Sequence, residues 1–298
     1  MSVLFLDDRH DWGGRCGNNG RHGIAQACGT AGYAVRMYDV DAAAVDRGMA
    51  AIDESLERLA ADGQLAAASP QAVRERISPT TELSDLTACE LVSEAVVEAI
   101  DVKRDVFAEL DGLVDDRAVL ATNTSTLSIT TIAADRPQQV VGIHFMNPVA
   151  IMDGVEIVVG EQTAPEAVDC AHAFANRLGK ETWEADDKPG FVTNRILMPW
   201  INEGIRAYDE GVATKEDVDR GMRLGTNAPM GPLELADHIG LDVCLQASQT
   251  LADELGDRCR PAYLLKRKVD AGDLGKKAGR GLYSYAEHSN GTESVDTR

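Results

Sequence analysis

The chain has 298 residues, carries 29 Lys and Arg against 49 Asp and Glu for a net charge of −20, and is 44% hydrophobic. That length accommodates two domains with a core each, and the apolar content is ordinary for a globular protein. So acidic a surface disfavours nucleic acid and anionic membranes as partners, and no apolar stretch approaches the ~20 residues of a membrane span.

In chain order, the first expected element is a short apolar strand, Val3 to Leu6. Asp7, Asp8, Arg9, His10, Asp11 and Trp12 follow, and then glycines at Gly13, Gly14, Gly17 and Gly20. Such glycines let a backbone approach a pyrophosphate, with Gly17 and Gly20 as the candidates here, although Arg15 interrupts the usual G-x-G-x-x-G. A second strand, Ala34 to Tyr38, ends at Asp39, 19 residues after Gly20. That offset suits the acid that accepts the ribose hydroxyls of NAD and repels the 2′-phosphate of NADP. Asp39 could instead cap the helix expected over Ala42 to Ala61, a role Asp41 could also fill.

Strands at Leu91 to Glu94, Val119 to Thr122, Val140 to Ile143 and Val155 to Val159 alternate with helices at Val102 to Leu113 and Pro165 to Leu178. This alternation is how a parallel sheet with crossover helices is written. Beyond Lys188-Pro189-Gly190 only helical patterns remain, at about 193–210, 215–223, 233–239, 241–255 and 262–271. Thr214 with Asp217 reads as a capping box, and Pro232 suits a first helical turn. The expected fold is therefore α/β, a Rossmann-type doubly wound, mostly parallel sheet followed by an all-helical C-terminal domain. The expected divisions are 1–186, 187–285 and a polar, disordered tail at 286–298. The cysteines Cys16, Cys28, Cys89, Cys170, Cys244 and Cys259 show no C-x-x-C pair and no histidine at ligand spacing, so free thiols and no metal site are expected. The opening residues lack a basic region followed by an apolar one, which points to a cytoplasmic protein. The acidic excess suits concentrated salt, where screening removes self-repulsion.

Chemistry concentrates in one stretch: Asn123-Thr124-Ser125, His144-Phe145-Met146-Asn147-Pro148, Glu156 and Asn194-Arg195. Hydrogen transfer needs such a set: an imidazole as base, a carboxylate to orient it, and neutral donors to polarise a carbonyl. His144 and Glu156 fall at or within short buried strands, whose ends line the ligand crevice of open α/β sheets.

These segments carry a family resemblance. NTSTLSI (residues 123–129), HFMNPV (144–149), Val155-Glu156-Ile157, PGFVTNR (189–195) and LGTNAPMGPLELADHIGL (224–241) make the chain similar to the short-chain L-3-hydroxyacyl-CoA dehydrogenases, including the 3-hydroxybutyryl-CoA dehydrogenases. The resemblance implies NAD as cofactor, an acyl-CoA substrate and a homodimer. By the same resemblance His144 is the base that takes the 3-hydroxyl proton, Glu156 its orienting partner, and Ser125 and Asn194 the donors to substrate oxygens. Asn147 falls on a position beside the nicotinamide. Glu98, Lys103, Lys277 and Ser125 fall on cofactor-contacting positions, and Ser55 on one near CoA. The sequence departs from the pattern at residues 7–21, at Asp62, where many relatives have lysine, and at Asp153-Gly154, where a Lys-Leu or similar pair is usual. Two other readings remain: a dehydrogenase of a non-CoA 3-hydroxy acid or sugar acid, and a non-catalytic protein of the same fold. His144-Phe145, rather than His-Pro, argues against the first.

Overall fold

The computed structural model describes residues 2–6, 18–65, 68–133 and 136–285, with side chains from residue 22 onward. The irregular glycine segment at 7–17, including Gly17, and the expected tail at 286–298 lie outside the described residues. The chain separates into two compact units, Met1–Val192 and Thr193–Arg298.

The first unit runs β1 (Ser2–Leu6), α1 (Asn18–Thr30), β2 (Ala34–Tyr38), α2 (Ala42–Ala61), α3 (Pro70–Arg74), β3 (Ile77–Thr80), β4 (Leu91–Glu94), α4 (Ile100–Asp111), β5 (Val119–Thr122), α5 (Ile129–Ile132), β6 (Val140–Phe145), β7 (Gly154–Val159), α6 (Pro165–Arg177) and β8 (Glu181–Asp186). Its strands form one sheet in the order β3-β2-β1-β4-β5-β6-β7-β8. Every pairing is parallel except β6 with β7. The order reverses between β1 and β4, which is the switch point where doubly wound sheets bind their ligands.

Each face of the sheet has its own core. Ile24 and Cys28 of α1, Ile52 and Leu56 of α2, and Phe174 of α6 pack with Val141, Ile143 and Phe145 on one side. Phe107 and Leu110 of α4 and Ile129 of α5 pack with Leu120, Val140 and Val158 on the other. Period-2 alternation therefore sends Val141, Ile143 and Phe145 to the first face and turns His144 to the second. The two strands that the sequence did not announce, β3 and β8, lie at the sheet edges. An edge strand tolerates Pro79 in β3 and the polar pattern Glu181-Thr182-Trp183-Glu184 in β8, because one flank needs no ladder partner.

Gly142, one row below His144, is a glycine for want of room. A Cβ there would stand 2.7 Å from Val158 Cβ and 2.9 Å from Ile129 Cδ1, both in the dry interior. Gly142→Ala should destabilise the protein by about 1–3 kcal/mol through overpacking. Urea unfolding of the variant checks this, and an unchanged midpoint would show that the row has slack.

The second unit contains α7 (Thr193–Asp209), α8 (Lys215–Thr226), α9 (Pro232–Ile239), α10 (Leu241–Leu255) and α11 (Tyr263–Asp270). Met198, Ile201, Ile205, Leu233, Leu241, Leu251 and Leu265 form its core. Thr214 caps α8 by accepting the Asp217 N–H, and Pro232 opens α9. Two buried carboxylates are satisfied by backbone donors. Asp219 accepts the N–H groups of Leu233 and Glu234 at the start of α9, and Asp237 accepts those of Leu282 and Tyr283, which pins the closing segment to the helices.

Candidate active site

Strand register builds the site. In the antiparallel pair β6 and β7, His144 stands directly opposite Glu156. In the parallel pair β7 and β8, Glu156 stands opposite Trp183. Three polar side chains from adjacent strands thus form one row on the face that holds Phe191. Glu156 is wholly buried and His144 nearly so, at 6% exposure. His144 Nδ1 lies 2.9 Å from Glu156 Oε2, while Glu156 Oε1 accepts the Trp183 indole N–H at 3.1 Å and the Val192 N–H at 2.9 Å. Burial pushes the Glu156 carboxyl up, but the bonds from His144, Val192 and Trp183 and the adjacent imidazole outweigh it and hold the group below the ordinary carboxylate range. An ionised carboxylate only accepts, so His144 Nδ1 carries the proton and Nε2 presents its lone pair.

The turn before Val192 is bent for this purpose. Gly190 and Phe191 both take the left-handed conformation, at φ 75° and 50°, and Phe191 N–H donates to Lys188 O at 2.8 Å. A side chain at such a φ stores strain, here balanced by packing. The Phe191 ring is buried edge-on against His144, with centroids 6.1 Å apart. Asp187 anchors the same segment by accepting from Ser128 Oγ and from the N–H groups of Ile129 and Thr130. Residues 187–192 therefore stay with the first unit.

Ser125 follows β5 in a loop gripped by Glu98. Glu98 Oε1 accepts Thr124 Oγ1 at 2.6 Å and the N–H groups of Ser125 and Thr126 at 2.9 and 3.1 Å. Lys103, 1% exposed, bonds Glu94 Oε1 at 2.8 Å and lies 3.5 Å from Glu98 Oε2. Burial lowers the Lys103 ammonium, yet Glu94 and Glu98 together hold it above the ordinary lysine range. Burial likewise raises Glu98, and Lys103 with the loop donors brings it below the carboxylate range. The predicted pair Glu98 and Lys103 thus comes together around Glu94, a buried acid whose place at the end of a strand gives no sign of this role in the sequence. Glu94 also accepts Thr122 Oγ1 at 2.8 Å. Asn123, the residue before this loop, ties the ends of β5 and β6 together by accepting the Phe145 N–H at 2.9 Å.

Asn147 lies in the loop after β6 and is joined to Pro148 by a cis peptide. Lys180 holds that loop by donating to the carbonyls of Val149 and Met152, each at 2.7 Å. Val149 in turn packs on α1, where a Cβ at Gly23 would come within 3.3 Å of it. Gly20 lies in the first turns of α1. Asp39, buried at the end of β2, accepts the Asp41 N–H at 2.8 Å, and Asp41 is the residue that caps α2. The cap role is therefore filled by Asp41, and Asp39 holds the turn into the helix. A strand, a helix N-terminus beside the switch point and an acid ending the next strand make a donor set that fits NAD. Ser55 is half-buried on α2. In the second unit, Asn194 lies in the first turn of α7, and Lys277 pairs with Asp242 at 2.6 Å. Among the described residues no cluster of His, Cys, Asp and Glu is placed to hold a metal, and no helix is long and apolar enough to cross a membrane.

Comparison with known proteins bears on the family and the fold. The family profile described as 3-hydroxyacyl-CoA dehydrogenase, NAD binding domain, matches residues 16–188, and the C-terminal domain of that family matches residues 190–285. The first match begins at residue 16, within the irregular glycine segment, and leaves residues 1–15 outside it. A probable 3-hydroxybutyryl-CoA dehydrogenase of Deinococcus radiodurans is 46% identical over 88% of this chain and 95% of its own length. The 3-hydroxybutyryl-CoA dehydrogenase of Bradyrhizobium diazoefficiens is 42% identical over 96% of each. The crystal structure of (S)-3-hydroxybutyryl-CoA dehydrogenase from Ralstonia eutropha has a TM-score of 0.86 at 40% identity, covering 96% of this chain and 99% of that one. Sheet order, the carboxylate ending β2 and both domain matches lead to one conclusion: the chain belongs to the 3-hydroxyacyl-CoA dehydrogenase family.

Proposed function

We propose that the protein catalyses the reversible, NAD-dependent oxidation of L-3-hydroxyacyl-CoA, such as 3-hydroxybutyryl-CoA, to 3-ketoacyl-CoA. The observation that carries the chemical step is the His144–Glu156 pair, buried and directly opposed on two strands. His144 Nε2 takes the proton of the 3-hydroxyl as the alcohol is oxidised and returns it when the ketone is reduced. Glu156 keeps the ring in the tautomer that makes this work and stabilises the imidazolium once formed. NAD, when bound, supplies the hydride acceptor. Ser125, on the loop clamped by Glu98, and Asn194 of α7 donate to substrate oxygens. Asn147 serves the cofactor side with Asp39, Gly17, Gly20, Glu98, Lys103 and Lys277, and Ser55 serves the CoA moiety. A homodimer working in the cytoplasm, in fatty-acid or butanoate metabolism, completes the reading.

The test follows NADH absorbance with acetoacetyl-CoA and then with a free sugar acid, each at low and high salt. Turnover with the thioester is expected. Turnover only with the free acid would overturn the substrate class, and NADH affinity without turnover would leave a binding protein of the same fold. Full activity at low salt would remove concentrated salt as the explanation of the −20 charge. Asp39→Asn keeps an acceptor for the Asp41 N–H while deleting the charge. A hydrogen bond to a charged group is worth about 1.5–3 kcal/mol, so NADH affinity should fall roughly tenfold or more and the preference over NADPH should narrow. Fluorescence titration with both nucleotides checks this.

A further inference from the structure

We propose that Trp183 is a positioning residue for His144, acting through Glu156 and seated by the absence of a side chain at Gly154. This rests on the reading of His144 and Glu156 as the reacting pair. Trp183 stands beside Glu156 in the β7–β8 register, and its indole N–H bonds Glu156 Oε1 at 3.1 Å. The ring reaches that position by lying over Gly154, two residues before Glu156 on the same face of β7. A Cβ on Gly154 would stand 2.8 Å from indole Cζ3 and 3.0 Å from Cη2. The small residue and the large ring therefore form a matched pair.

The physical role follows from how a carboxylate turns. The terminal torsion of a glutamate is broad and roughly two-fold, so burial alone does not decide which oxygen faces a neighbour. Two donors on Oε1, the indole N–H from β8 and the backbone N–H of Val192, hold the plane and direct Oε2 at His144 Nδ1. Without the indole the carboxylate loses one of the donors that fix its plane and gains freedom to swing. The imidazole then spends less time with Nε2 aimed at the reacting hydroxyl, while the surfaces that bind substrate and cofactor are untouched.

Trp183→Phe keeps an aromatic ring and deletes the N–H. It should lower kcat about three- to tenfold while KM for acetoacetyl-CoA and for NADH stays within about a factor of two, because part of one charge-assisted bond is lost from the transition state only. Gly154→Ala, approached from the other strand, should displace the indole and lower kcat to a similar degree. The two changes should not multiply: in the Trp183→Phe background, Gly154→Ala should cost little, since the phenyl ring does not extend over residue 154 as the indole does. A wild-type kcat in folded Trp183→Phe, or fully multiplicative losses in the double variant, would overturn the proposal. If Trp183→Phe fails to fold, Gly154→Ala decides it: unchanged kcat overturns, and a selective kcat loss supports. Should His144→Gln abolish turnover while Trp183→Phe leaves it intact, only this inference fails. Retained turnover in His144→Gln would instead remove the reading beneath it.

Discussion

Replacing His144 with glutamine is expected to lower turnover with acetoacetyl-CoA by about 10²- to 10⁴-fold, the usual contribution of a positioned acid–base group. Glutamine has similar reach, and its amide can still bond the Glu156 carboxylate, so the row across β6, β7 and β8 should persist. The imidazole is 6% exposed and packed edge-on by Phe191, which limits how far a replacement can wander. The acids proposed to serve the cofactor are Asp39, which bonds the Asp41 N–H after β2, and Glu98, which bonds the loop at Thr124 and Ser125. NADH affinity measured by fluorescence should therefore stay within a few fold. Retained turnover in a correctly folded His144→Gln protein would overturn the assignment of the base.

Much of this site was legible because buried parallel strands are written as short β-branched runs. Val119–Thr122 and Leu91–Glu94 have the bounds that the sequence suggested, and the runs ending in His144 and containing Glu156 are strands in register with each other. What periodicity could not supply was the partner across β8. Glu181–Asp186 is too polar to read as a buried strand, so Trp183 had no place on a sheet until the edge was seen. Short helices escaped for a related reason: α5 spans four residues and depends on Ser128 and on the distant Asp187 for its capping, a contact invisible to local pattern. Glu94 looked like the end of a strand, and only the fold shows Lys103 arriving from α4 to neutralise it. The choice between Asp39 and Asp41 as helix cap was undecidable from spacing and is decided by which carboxylate the Ala43 N–H meets.

The second large effect is expected at Glu156, where glutamine is close to the carboxylate in shape and opposite to it at one of its two ends. His144 Nδ1–H meets one oxygen of the native group, and the Trp183 and Val192 N–H groups meet the other. An amide has one accepting end. If its oxygen faces Trp183 and Val192, its NH₂ faces His144 Nδ1, the ring proton moves to Nε2, and the base is lost to the wrong tautomer. If it flips, two partly buried N–H groups lose their acceptor at up to about 1–3 kcal/mol each. Either way kcat should fall by about 10²- to 10⁴-fold with smaller changes in KM. The stability cost should depend on pH with a definite sign. The Glu156 carboxyl is held below its ordinary value of 4.5, so its contribution is present above that pH and is lost as pH falls through the lower, folded-state value. Urea melts of wild type and Glu156→Gln should therefore differ most near neutral pH and converge under acid conditions below the ordinary carboxylate range. A difference that stayed constant across that range would mean that Glu156 does not act as a charge in the folded protein, and its role as the orienting partner of His144 would fall with it.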